Sequence, residues 1–150
     1  MKKLLILSLI LSASTYSLYS QNKTVKGRVI SEHFDILIGV SIRVNDTVEI
    51  GRTDMKGYFQ IDIPVKQKEI KFMHLGLDQA TIELNDNCNE IEVVMMLSGT
   101  YDFISLKRID RRRKKRYKKL PKIHKQAFEK NIFDTNLACY NRTFEPLLPR

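Results

Sequence analysis

Between Lys23 and Leu97 apolar and polar residues alternate in short runs broken by turn residues, and no stretch holds a helical period long enough to compete. The clearest run is Tyr58-Phe59-Gln60-Ile61-Asp62-Ile63, which puts Phe59, Ile61 and Ile63 on one face and stops at Pro64, a residue that cannot donate to a strand ladder. Further strands are expected over Thr24 to Ile30, Gly39 to Val44, Thr47 to Thr53, Glu69 to Leu75, Gln79 to Leu84 and Glu90 to Leu97. Their inward faces are Val25 and Val29; Val40, Ile42 and Val44; Ile70 and Phe72; Ile82 and Leu84; and Ile91, Val93, Met95 and Leu97. Seven short strands with one apolar face each cannot be buried as a single open sheet. The expected fold is therefore mainly β, a seven-stranded sandwich over residues 23–98.

Before this body, residues 1–20 carry Lys2 and Lys3 ahead of the apolar run Leu4 to Leu11 and end in small polar residues. That is the pattern of a secretory signal peptide, and its apolar run falls well short of the roughly 20 residues a membrane-crossing helix needs. Cleavage is expected near Ser20-Gln21. No cysteine near that point would take a lipid anchor, and no later segment is apolar enough to span a bilayer, so the mature protein is expected to be soluble or peripheral.

Charge divides the rest of the chain. Residues 21–100 hold nine Lys/Arg and twelve Asp/Glu, a net of −3, whereas residues 101–150 hold fifteen and five, a net of +10. A mildly acidic body thus carries a basic tail. Ten of the thirteen residues from Lys107 to Lys119 are basic, among them Arg111, Arg112, Arg113, Lys114, Lys115, Arg116, Lys118 and Lys119. Leu106, Ile109, Tyr117 and Leu120 would form a thin apolar stripe on a helix ending near Pro121, and a second helix is expected from Lys122 to Phe133 with Ile123, Ala127 and Phe128 at helical spacing. In a cytoplasmic protein such a run would point to nucleic acid. Behind a signal peptide the available anions are phosphorylated lipids, envelope polymers and acidic protein faces, so no nucleic-acid partner is expected. The run reads either as an anion-binding surface or as a solvated helix face. The aromatic and apolar residues from Ile132 to Pro149 are too many for a free tail, and the segment 101–150 is expected to dock its end on the sandwich.

Cys88 and Cys139 both survive signal removal and would meet an oxidising compartment. They form a disulfide or remain two small loop residues; spacing does not decide between these.

Few residues suggest chemistry. His33, His74 and His124 are scattered, with none of the close spacing that seeds a zinc site. His74 shares parity with Ile70 and Phe72 and is expected at the rim of the core, His33 in an exposed loop. There is no Gly-x-Ser-x-Gly elbow, phosphate-cradling glycine loop or Cys-x-x-Cys pair. Asn85 to Glu90 fits no calcium-loop spacing and reads as a hairpin turn. No metal, cofactor or catalytic residue is expected. In Thr53-Asp54-Met55-Lys56-Gly57, Asp54 suits a cap on backbone amides two residues on, and Gly57 suits a positive φ before Phe59 turns into the core.

Three ordered segments resemble the carboxypeptidase regulatory-like family, a transthyretin-like, Greek-key sandwich found beside metallocarboxypeptidase catalytic domains and at the front of bacterial TonB-dependent receptors. Val25-Lys26-Gly27-Arg28-Val29 is similar to its opening strand. Gly39-Val40-Ser41-Ile42-Arg43-Val44 is similar to its second, with Ile38 where the family usually has Pro. Thr53 to Ile61 matches its Thr-Asp-x-x-Gly-x-Phe-x-Ile. Phe72-Met73-His74-Leu75-Gly76-Leu77 is similar to the strand and Gly-Tyr turn that follow, with Leu77 in place of Tyr. The resemblance implies a bacterial envelope protein. The expected role is an accessory binding or structural module in the periplasm or at the periplasmic face of the outer membrane, acting through sandwich edges or the basic tail, with an envelope protein or an anionic envelope surface as partner. The resemblance does not imply peptidase activity, since in that enzyme family the zinc and catalytic Glu lie in a separate domain. The alternative is a protein that holds an anionic envelope surface through its basic tail.

Overall fold

The computed structural model describes residues 22–85 and 88–147. The expected signal peptide, residues 1–20, lies outside them, as do Asp86 and Asn87 of the expected hairpin turn. Among the described residues eight strands and two helices follow in the order β1 (Asn22–Ser31), β2 (Ser41–Val44), β3 (Val48–Arg52), β4 (Tyr58–Pro64), β5 (Glu69–Met73), β6 (Ala80–Leu84), β7 (Glu90–Met95), α1 (Leu106–Tyr117), α2 (Leu120–Glu129) and β8 (Tyr140–Arg142).

The strands form two sheets, one ordered β4-β1-β7 and the other β3-β2-β5-β6-β8. The fold is a mainly β sandwich. Between the sheets lie the expected apolar faces, with Val25, Val29, Val40, Ile42, Phe59, Ile61, Ile63, Ile70, Phe72, Ile82, Ile91, Val93 and Met95 all buried. Phe59 meets Phe72 edge to face with ring centroids 5.5 Å apart, a favoured quadrupole arrangement.

β1 is the central strand of the small sheet, antiparallel to β4 and parallel to β7. Its Gly27 lies opposite Ile91, and a Cβ built there would fall 1.6 Å from the Ile91 carbonyl oxygen. Only glycine allows that approach.

The turn before β4 is built on Asp54. Its Oδ1 accepts the amides of Lys56 and Tyr58, both at 2.8 Å, while Gly57 adopts φ 77° and offers its carbonyl to the Val29 amide at 2.8 Å. The side chain thus caps the turn and the glycine bridges to β1. Beneath it the buried Thr53 hydroxyl accepts from the Val40 amide at 2.9 Å and donates to the Leu37 carbonyl at 2.7 Å.

A second core lies outside the small sheet. Ile30, Val94 and Met96 point away from the inter-sheet core and are buried under Leu120 and Ala127 of α2 and under Phe133 beyond it. β7 is therefore buried on both faces, which explains its nearly continuous apolar stretch Ile91 to Met96. On the opposite sheet, β8 adds to β6 through Ile82–Arg142, Glu83–Asn141 and Leu84–Tyr140 pairings. Cys88 and Cys139 are disulfide bonded, linking the segment before β7 to the one before β8.

Several local expectations are corrected. β5 stops at Met73, so His74 lies exposed in the turn, its Nδ1 2.9 Å from the Leu75 carbonyl, instead of at the core rim. Leu97 lies beyond the end of β7 and is partly exposed beside Leu77. The first helix ends at Tyr117, and Leu120 opens the second, where Pro121 suits a first turn whose amides lack helical partners. That helix ends at Glu129; its Phe128 is exposed, and the buried aromatic is Phe133 beyond its end. Leu106, expected on the inner stripe of the first helix, is exposed.

Candidate anion-binding face

α1 puts Ile109 and Arg113 against the body, one turn apart, with Arg116 and Tyr117 half-buried one turn further on. The inner stripe is thus completed by two arginines. Arg113 Nε donates to Asp78 Oδ2 at 2.9 Å, and its Nη1 reaches Asp110 Oδ1 at 3.2 Å and the Glu145 carbonyl at 3.0 Å. The Phe144 ring lies across the same guanidinium, 5.4 Å from its centroid.

Arg116 pairs with Glu32 and donates to the Leu97 carbonyl at 2.7 Å and the Tyr101 hydroxyl at 3.4 Å. Glu32 also accepts the Leu97 amide at 3.0 Å. Burial pushes the Glu32 carboxyl up, but the bonds from Arg116 and the Leu97 amide outweigh it and hold the group below its usual range. The Glu32 bond in turn raises Arg116 against the effect of its burial. Both guanidiniums are committed to holding the helix in place.

The sequence-level set of eight cations therefore narrows. Arg113 and Arg116 are turned inward, whereas Arg111, Arg112, Lys114, Lys115, Lys118 and Lys119 are exposed, joined by Lys107, Arg108, Lys122 and Lys125. α1 also carries Lys107 and Arg108 in its first turn with no acid there, an arrangement its own macrodipole disfavours. Chemically this face can attract and hold anions.

Tail residues lock the other side. The Tyr117 hydroxyl donates to the Arg142 carbonyl, and the Arg142 guanidinium donates to the Val94 carbonyl at 2.6 Å. Burial lowers the Arg142 pKa from its usual value. Tyr140 donates its hydroxyl to the Glu92 carbonyl at 2.9 Å, and burial pushes its pKa up to about 12. Val94, Tyr117, Tyr140 and Arg142, with Lys118, Leu120 and Leu137, line a groove of about 330 Å³.

Sequence reasoning missed one buried polar cluster. Glu92 Oε2 lies 3.9 Å from His124 Nε2, and Glu92 accepts the Asp134 amide at 2.6 Å, the Thr135 amide at 3.0 Å and the Thr135 hydroxyl at 2.6 Å. Burial lowers His124 below its ordinary pKa, against the pull of Glu92. A relay would need the imidazole to bridge hydroxyl and carboxylate through its two nitrogens. Here Nε2 faces both, 3.5 Å from the Thr135 hydroxyl, and the hydroxyl is bonded to Glu92 directly. The cluster caps the loop after α2. Its signal was the position of His124, four residues after Leu120 and three before Ala127, on the inner stripe of a helix.

Asp54, Gly57 and Phe59 lie in the turn and core described above, away from α1. Among the described residues no three His, Cys, Asp or Glu side chains are grouped as a metal ion would require, and no helix is long and apolar enough to cross a membrane.

The CarboxypepD_reg-like domain matches residues 25–102, just over half of the chain. The chain belongs to the CarboxypepD_reg-like domain family. That domain is a regulatory, non-catalytic type. Its match spans β1 to β7 and ends before α1, so the basic helix and β8 are additions to the family sandwich. No curated protein matches the chain.

Proposed function

We propose that the protein is an exported, non-enzymatic accessory module of a bacterial envelope, in which the CarboxypepD_reg-like sandwich is a rigid mount and α1 binds an anionic surface. The observation that carries this reading is the division of labour on α1. Arg113 and Arg116 anchor the helix through ion pairs to Asp78 and Glu32, while Lys107, Arg108, Arg111, Arg112, Lys114 and Lys115 face outward. A helix fixed in this way presents its charges without first losing conformational freedom on binding. Each such cation near an anionic surface contributes about 1 kcal/mol, and screening by salt weakens the attraction. Export is supported by the leader-like residues 1–20, and the working site is then the periplasm or the periplasmic face of the outer membrane.

The test replaces the six outward cations from Lys107 to Lys115 by Gln and keeps Arg113 and Arg116. Deleting the whole run would also remove the buried Ile109 and both anchors. Wild type should co-sediment with envelope fragments at low salt and be released at high salt, and the sextuple variant should stay in solution. Equal retention of the two proteins would show that α1 is a solvated face. Amino-terminal sequencing of the exported protein should begin near Gln21.

A further inference from the structure

Two large apolar side chains stand almost wholly in solvent on segments that are tied to each other, Leu75 with 96% and Phe103 with 108% of its reference area exposed. Leu75 tips the turn between β5 and β6. That turn is tied to the segment leaving β7, since Asp78 donates its amide to the Met96 carbonyl at 2.8 Å and Ser98 donates its amide to the Gly76 carbonyl at 2.9 Å. The same segment runs on through Tyr101, whose hydroxyl meets Arg116, to Phe103 and then to Leu106, the exposed first residue of α1. Arg113 closes the circle by holding α1 to Asp78.

Phe103 adopts φ 60°, a left-handed conformation that aromatic residues rarely take. An aromatic ring held outward in a disfavoured backbone conformation gains nothing from the fold. Lys107, Arg108, Arg111 and Arg112 follow directly on the first turns of α1, all exposed. Of the acids here, Asp78 and Glu32 are paired to Arg113 and Arg116, and Asp110 accepts Arg113 and the Leu147 amide. Asp102 and Glu145 stay exposed, two acids against that excess of positive charge.

From this juxtaposition we propose that the surface carrying Leu75, Phe103 and Leu106 inserts into the interfacial region of an anionic phospholipid membrane, with the first turns of α1 seated on its headgroups. A soluble anionic polymer would satisfy the cations but would leave Leu75 and Phe103 without an apolar partner, whereas a bilayer offers both layers in this order. The inference rests on the reading of α1 as an anion-binding face and adds the identity of the surface.

The experiment measures co-sedimentation of the purified protein with phosphatidylcholine vesicles containing phosphatidylglycerol, with pure phosphatidylcholine vesicles as baseline, and its binding to soluble polyphosphate. Leu75→Ser/Phe103→Ser should weaken binding to the anionic vesicles on the order of 100-fold, about 10-fold for each apolar side chain kept in water, and leave polyphosphate binding unchanged. Both positions are exposed, so the variant should fold as wild type does. The chain contains no Trp. Phe103→Trp therefore supplies a site-specific probe whose emission should shift to the blue with anionic vesicles and stay unshifted with polyphosphate. If wild type binds polyphosphate but not vesicles, or the serine variant binds vesicles as wild type does, or the emission of the Phe103→Trp variant stays unshifted on vesicles, membrane insertion is overturned while the anion-binding face stands. If wild type binds neither, both are overturned.

Discussion

Arg113 Nε lies 2.9 Å from Asp78 Oδ2, with the two side chains only 8% and 11% exposed, and this pair fastens α1 to the turn between β5 and β6. Asp78→Ala leaves the buried Arg113 only Asp110 and the Glu145 carbonyl as partners. It is expected to destabilise the protein by about 1–3 kcal/mol, whereas replacing both Arg113 and Asp78 by apolar residues of similar volume should cost less. Urea denaturation of the single and double variants checks this. Equal losses in both would mean that the pair is not the anchor.

The disulfide between Cys88 and Cys139 closes a separation of 51 residues. In the chain-entropy account a loop of this size contributes about 4 kcal/mol, chiefly by restricting the unfolded chain. Thermal denaturation with and without reductant should show that loss, and the native oxidised protein should yield no titratable thiol. Finding two thiols in it would remove the bond from the native state.

His124 gives stability a pH dependence with a definite sign. Burial holds its pKa below 6.5 in the folded protein, so over that interval the unfolded chain binds the extra proton. Its contribution is complete above pH 6.5 and is lost as pH falls from there to the folded value, at no more than about 1.4 kcal/mol per pH unit. Glu32 adds a second, lower window: its folded pKa is depressed below 4.5, so the stability it contributes is lost as pH falls through that folded value. In urea titrations across mildly acidic pH, His124→Gln should flatten the upper slope and leave the lower one. Identical slopes in wild type and variant would rule His124 out as the source.

Two glycines should respond very differently to alanine. At Gly27 the added Cβ would collide with the Ile91 backbone, and β1 would have to leave β7 to accept it. A loss of about 3 kcal/mol or more is expected. At Gly39, with φ 71° and nothing within 4 Å of the built Cβ, only the left-handed conformation opposes the change, at about 1–2 kcal/mol. Thermal denaturation of the two variants should rank them in that order, and a reversal would contradict the β1–β7 register.

Much of the sandwich was legible because its strands follow a simple period. Tyr58 to Pro64 reads as alternation and is observed as alternation, outward residues exposed and inward ones buried. The Asp54–Gly57 turn was legible for a different reason, since a side-chain cap and a positive φ are local properties. Arg113 and Arg116 were not. A charged residue on a helix surface is indistinguishable in sequence from one whose partner waits on another element, and Asp78 and Glu32 are 35 and 84 residues away. His124 was hidden likewise, its partner Glu92 lying on a strand of the body.

By itself, then, the sequence determined the local part: which residues alternate, where the turns fall, that two cysteines and a basic run are present, and that the body resembles a known sandwich. Only the tertiary structure decided which face of that run is free. It also decided that β7 is buried on both sides, that β8 comes from the tail, and that the segments carrying the exposed Leu75 and Phe103 are tied together. The physical reason is range. Periodicity and turn chemistry are set by neighbours within a few residues, whereas burial of a charge or exposure of a ring depends on what distant parts of the chain bring to it.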